Sequence, residues 1–131
     1  MNRGQALVEL ALCMPVVILL GLGAAGAVEV ADAATGLRAA TDAAVAEAAR
    51  EPSAAAALVA AELRFHAVIA DYPLRAATFA IDTAAFDRGS VLTGTAAADV
   101  DLGWEAMSFL PSTVHLTATA TMPAEQWRTH R

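Results

Sequence analysis

LALCMPVVILLGLGAAGAV, residues 10–28, is the stretch on which the architecture turns, because none of its residues is charged. As a helix it would span roughly 28 Å at about 1.5 Å per residue, close to the ~30 Å hydrocarbon core of a bilayer. The core helix of a small soluble domain rarely stays apolar on every side for so long. The segment therefore reads as membrane-inserting. The rest of the composition fits helices better than a large aromatic core. Of the 131 residues, 57% are hydrophobic but only 5% are aromatic, and alanine, the best helix former, is abundant.

Charge and cysteine content narrow the function classes. All eight basic residues are arginine, set against fourteen Asp and Glu, for a net charge of −6. Nucleic acid is not an expected partner of so acidic a chain, since phosphate binding needs a basic surface. Schiff-base chemistry is excluded by the absence of lysine. The single cysteine, Cys13, allows no intramolecular disulfide and no cysteine metal cluster. It reads as a small lipid-facing hydrophobe.

Three accounts of the N-terminal segment compete: a cleaved secretory signal, an uncleaved signal anchor, and a leader removed ahead of the apolar run. A secretory signal would use Arg3 as its positive end and Ala25-Gly26-Ala27 as its small-residue cleavage site. Glu9 is the obstacle. A carboxylate costs about 2.5–3.5 kcal/mol at a membrane centre and less near the interface. Placement in the first helical turns, where the helix dipole favours negative charge by about 0.3–1 kcal/mol, offsets part of that. It does not account for the residue's presence.

The local string is RGQALVELALCMP, residues 3–15: a basic residue, a glycine, a glutamate five residues after it, and a proline inside the hydrophobic run. This string resembles the cleavage region of type IV prepilins. With Pro15 it is similar to the TadE-like minor pilins (pseudopilins) of the tight-adherence pilus system, except that Leu10 stands where phenylalanine is usual. Gly26-Ala27-Val28-Glu29 resembles the second acidic residue of that family at the end of the span. The alanine-arginine stretch of residues 33–50 resembles its following helix. The resemblance covers residues 3–50 and is weak beyond.

That resemblance implies a leader of residues 1–4, a membrane-spanning helix over 5–29 and an exported pilin-like domain over 30–131. A prepilin peptidase would cut between Gly4 and Gln5, leaving a free amine on Gln5. Glu9 would then be the assembly carboxylate, attracting the terminal ammonium of a neighbouring subunit. A charge in lipid is tolerable only when paired, so an unpaired Glu9 favours joining an assembly. The missing side chain of Gly4 lets a protease approach the backbone. The implied partners are the prepilin peptidase, other pilin subunits, the pilus assembly platform of the inner membrane and the lipid bilayer. Arg3 and the short N-terminus orient the chain with that end inside and residues after about 30 exported. The location implied is the cytoplasmic membrane, then the cell surface or pilus.

Along the span, Pro15 removes a hydrogen bond to the Ala11 carbonyl, so a kink or loosened turn is expected. It is either harmless or an aid to leaving the bilayer. Gly21 with Ala25, and Gly23 with Ala27, permit close helix contact, though such pairs are common in an alanine- and glycine-rich segment. The helix continues to about Arg50, with Arg38 and Asp42 one turn apart and able to pair. Gly36 can fray its middle. Glu51-Pro52-Ser53 ends it, and Ser53 can cap a second helix from Ala54 to about Ala70. In that helix Leu58, Phe65 and Ile69, with Val59 and Leu63, suggest a broad buried face. His66 lies near it and reads as packed or half-buried.

After Pro73 the period changes to two. Ala77, Phe79 and Ile81 share one face; so do Leu92, Gly94, Ala96, Ala98, Val100 and Leu102; so do Val114, Leu116, Ala118, Ala120 and Met122. Threonines dominate the opposite side. Asp87-Arg88-Gly89-Ser90 and Leu110-Pro111-Ser112 read as turns. The expected fold is α+β: a long N-terminal transmembrane helix continuing into the exported region, a second helix, and a small antiparallel sheet of about three strands.

No catalytic constellation, cofactor loop or metal motif is found, and the chain reads as non-enzymatic. His115 on the threonine face reads as solvated. Asp99 and Asp101 share a face but lack the further oxygens of a cation cage. Trp127-Arg128-Thr129-His130-Arg131 reads as a disordered tail. Two rivals remain: a secreted binding protein with a signal peptide cut near Ala27, and an uncleaved single-pass anchor bearing a small domain.

Overall fold

A computed structural model describes residues 2–84, 86, 89–104 and 109–124. Five elements follow in order: α1 (Arg3–Arg50), α2 (Ala54–Ile69), β1 (Arg75–Asp82), β2 (Val91–Asp101) and β3 (Thr113–Pro123). The α+β expectation matches this architecture. The apparent turn at 87–90 is described only at Gly89 and Ser90, where Gly89 takes φ 79°. Asp87, Arg88 and the tail from Glu125 onward lie outside the described residues.

α1 is continuous over 48 residues, roughly 72 Å at ~1.5 Å per residue. It remains α-helical through Pro15 and through Gly36. It stops where proline disfavours helix for the preceding residue: Glu51 is extended, with φ −77° and ψ 149°. Ser53 then starts α2, its Oγ accepting a hydrogen bond from the Ala56 N–H at 3.3 Å. With only residues 51–53 between them, α2 doubles back along α1, and the Tyr72 ring beyond its end reaches Gly36. A Cβ on Gly36 would lie 2.4 Å from that ring. The glycine thus makes room for an aromatic instead of fraying the helix.

The interface between the helices corrects the expected face of α2. The buried residues are Ala57, Ala61 and Phe65. Leu58, Val59 and Leu63 are 42%, 61% and 69% exposed. The reason lies on α1, whose facing surface is itself alanine: Ala40, Ala44 and Ala48, all fully buried. Alanine against alanine brings the helix axes together, whereas a leucine in the seam would hold them apart. His66 is likewise exposed, not half-buried; its ring stands edge-on to Phe65 at 5.6 Å. Among the described residues the one buried polar side chain is Thr41, and its Oγ1 donates to the Leu37 carbonyl at 2.7 Å.

The strands form an antiparallel meander in the order β1-β2-β3. The inward positions are those that the period-two pattern assigns. Phe79 of β1 stacks on Phe65 of α2 at 4.9 Å, tying sheet to helices. A Cβ on Gly94 would lie 2.4 Å from Val45 Cγ2, so this glycine lets α1 settle on the centre of the sheet. Between Arg75 and Thr78 the register slips by one residue, a bulge at which Ala76 takes φ 49°. A left-handed alanine costs about 1 kcal/mol or more. The extra residue reverses the alternation, so Arg75 shares the outer face with Thr78 and not the inner face with Ala77.

The core has two parts. The larger joins Leu37, Ala44, Val45 and Ala48 to Phe65, Leu92, Ala96 and Ala120; the smaller gathers Ala33, Val100 and Leu102 with Val30, Trp104 and Val114. Successive positions up α1 therefore meet β2 from its end toward its start. The helix lies along the strands, with residue 30 at the Leu102 end.

Candidate functional site

The residues singled out in the sequence cluster at the free end of α1. Gly4 sits in its first turn, and nothing lies within 4 Å of where a Cβ would be. The fold itself makes no demand for glycine there. The Gln5 amide donates to Glu9 Oε1 at 3.4 Å, both groups exposed. Asn2, Gln5, Ala6 and Glu9 line a shallow hollow. The Asn2 side chain makes no capping bond, and the first turn holds no acidic residue. Glu9 lies beyond the turn over which the helix dipole acts appreciably. That weakens the dipole as a reason for its presence.

Among the described residues, the ion pairs are Arg50 with Glu47, Arg75 with Asp101, and His115 with Asp99. None involves Glu9. Its one polar contact is a neutral amide. The expected Arg38–Asp42 pair is not formed either; both side chains are exposed, and such a pair in water gains too little to hold two long side chains in place.

On both sides of Glu9 the helix surface is apolar and bare. Leu7, Val8, Leu10, Leu12, Met14, Val16, Val17, Ile18, Leu19 and Leu20 are between 46% and 71% exposed. Pro15 and Cys13 lie in the same stretch. α1 is long and apolar enough to cross a membrane, and its most apolar window is wholly unburied.

A second polar grouping is exposed, as expected for His115, and is also paired. Asp99 and His115 are cross-strand partners, with Oδ1 and Nδ1 2.6 Å apart. Arg75, brought outward by the bulge, reaches Asp101 at 3.3 Å. The alternation on each strand carried the signal for facing, but the register needed to pair the two strands is set by the turn between them. Among the described residues no three His, Cys, Asp or Glu side chains come together as a metal-binding group.

Comparison with protein-family models, with curated proteins and with solved structures yields no match for the chain.

Proposed function

We propose that the chain is a non-enzymatic, TadE-like minor pilin (pseudopilin) that takes part in assembling a tight-adherence pilus. It is inserted in the cytoplasmic membrane with its N-terminus inside and is matured by prepilin peptidase between Gly4 and Gln5. The observation that carries this reading is Glu9: a carboxylate at the start of a bare apolar helix that, among the described residues, has no cation beside it. At a membrane centre such a charge costs about 2.5–3.5 kcal/mol, less near the interface, and a partner charge offsets it. Cutting after Gly4 creates that partner, the ammonium of Gln5 on a neighbouring subunit. The open surroundings of Gly4 support the same reading: no packing among the described residues calls for glycine there, and a peptidase that must reach the backbone would.

N-terminal sequencing of the membrane-extracted protein tests the proposal. The expected start is Gln5. A start at Val28 would mean a secreted protein released from a signal peptide, and a retained Met1 a simple anchor; either result overturns the pilin reading. Gly4→Ala should leave the folded domain intact and the precursor uncut. Glu9→Ala should insert normally yet lose co-purification with other pilin subunits.

A further inference from the structure

We infer that Trp104 and Phe109, which follow β2 and precede β3, are lodged in the membrane interface at the level of the lipid headgroups, on the side where α1 leaves the bilayer. The argument begins at Gly26. This glycine lies inside the charge-free run of residues 10–28 and is buried although its helical neighbours Ala25 and Ala27 are exposed. The Trp104 indole covers it: a Cβ there would sit 2.6 Å from Trp104 Cζ2 and 2.7 Å from Cη2. Trp104 is also packed with Val30, Ala33 and Leu102, and the Leu102 N–H donates to the Ser112 carbonyl at 2.8 Å, closing the base of the loop. Trp104 is therefore fixed to α1 at a defined height.

That height is set by the acidic residues. Glu9 and Glu29 bracket the apolar run, about 30 Å apart along a helix rising ~1.5 Å per residue, the thickness of a hydrocarbon core. Gly26 is less than one turn inside Glu29. Because α1 is unbroken between them, any insertion that buries residues 10–28 carries Trp104 to the boundary. Tryptophan suits that position, since its ring is apolar and its N–H needs a polar partner. Phe109, on the same loop, is 73% exposed, a cost in water that lipid removes. Among the described residues, the charged groups toward this end are Glu29, Asp32, Asp101 and Arg75, three acids against one base, and the sequence between β2 and β3 adds a further acid, Glu105. The partner surface is thus a zwitterionic bilayer recognised by its apolar interface, not an anionic one recognised by charge.

The inference rests on insertion of α1 and not on the assembly role. The test uses the full chain carrying Trp127→Phe, which leaves Trp104 as the sole indole, reconstituted in phosphatidylcholine vesicles. Co-flotation with the vesicles reports insertion. The expected result is a blue-shifted Trp104 emission, quenched more by lipid brominated near the carbonyl end of its acyl chains than by lipid brominated near the methyl end. Phe109→Trp, in a chain that also carries Trp104→Phe and Trp127→Phe so that an aromatic still covers Gly26, should behave the same way. A chain that floats but whose indole is quenched freely by aqueous iodide and not by brominated lipid overturns the seating. So does quenching that is strongest at the methyl end. A chain that does not float overturns the membrane-spanning reading together with this one.

Discussion

The two halves of α1 are one helix with opposite rules. Before about residue 21 the large side chains, leucine, valine and isoleucine, are exposed around the helix. After residue 30 the buried positions are mostly alanine: Ala33, Ala40, Ala44, Ala48 and Ala49, with Leu37 and Val45 among them. Size, not hydrophobicity, separates the halves. A small side chain lets another helix or a sheet approach; a large one covers the helix against a surrounding medium. α2 obeys the second half's rule, burying Ala57 and Ala61 and turning Leu58, Val59 and Leu63 away.

The largest expected effect of a substitution lies at the exception to that rule. Phe65 is the bulkiest fully buried side chain, so Phe65→Ala should lower the unfolding free energy by about 3–5 kcal/mol. Urea denaturation of the detergent-solubilised chain measures it, and an unchanged midpoint would put the core elsewhere. In the first half, Val17→Arg should weaken membrane insertion by about 2.5–3.5 kcal/mol. Carbonate extraction should then release the protein while the urea midpoint stays put. A fall in midpoint would mean that the first half is packed against protein after all.

Gly94→Ala tests close approach in the second half. The added methyl meets Val45 and should cost about 1–3 kcal/mol. Pairing it with Val45→Ala should recover part of the loss, and strict additivity of the two losses would argue against direct contact. The smallest effect is at the corner between helices, where Ser53→Ala removes a cap worth about 1 kcal/mol. The same denaturation curve reads it.

Much of this fold is legible in the sequence because its signals are local. Pro52 and Ser53 mark the corner, and alternation over residues 113–122 marks a strand whose inward residues are those observed. What escaped is what depends on a partner. The outward turn of Leu58 and Leu63 follows from the alanine surface of α1, which the periodicity of α2 alone does not contain. The Asp99–His115 pair needs the β2-β3 register, and the outward course of Arg75 needs a bulge that strict alternation forbids. At the N-terminal site, Gly4, Gln5 and Glu9 are legible as a string. The absence of any cation near Glu9 among the described residues, and the open space at Gly4, are three-dimensional facts.

The unbroken passage of α1 from Arg3 to Arg50 has a mechanical consequence. The apolar segment and the folded domain share one stiff shaft with no slack between them, so the azimuth of the sheet is phased to that segment. One residue inserted near position 29 would swing the domain by about 100° and lift it ~1.5 Å.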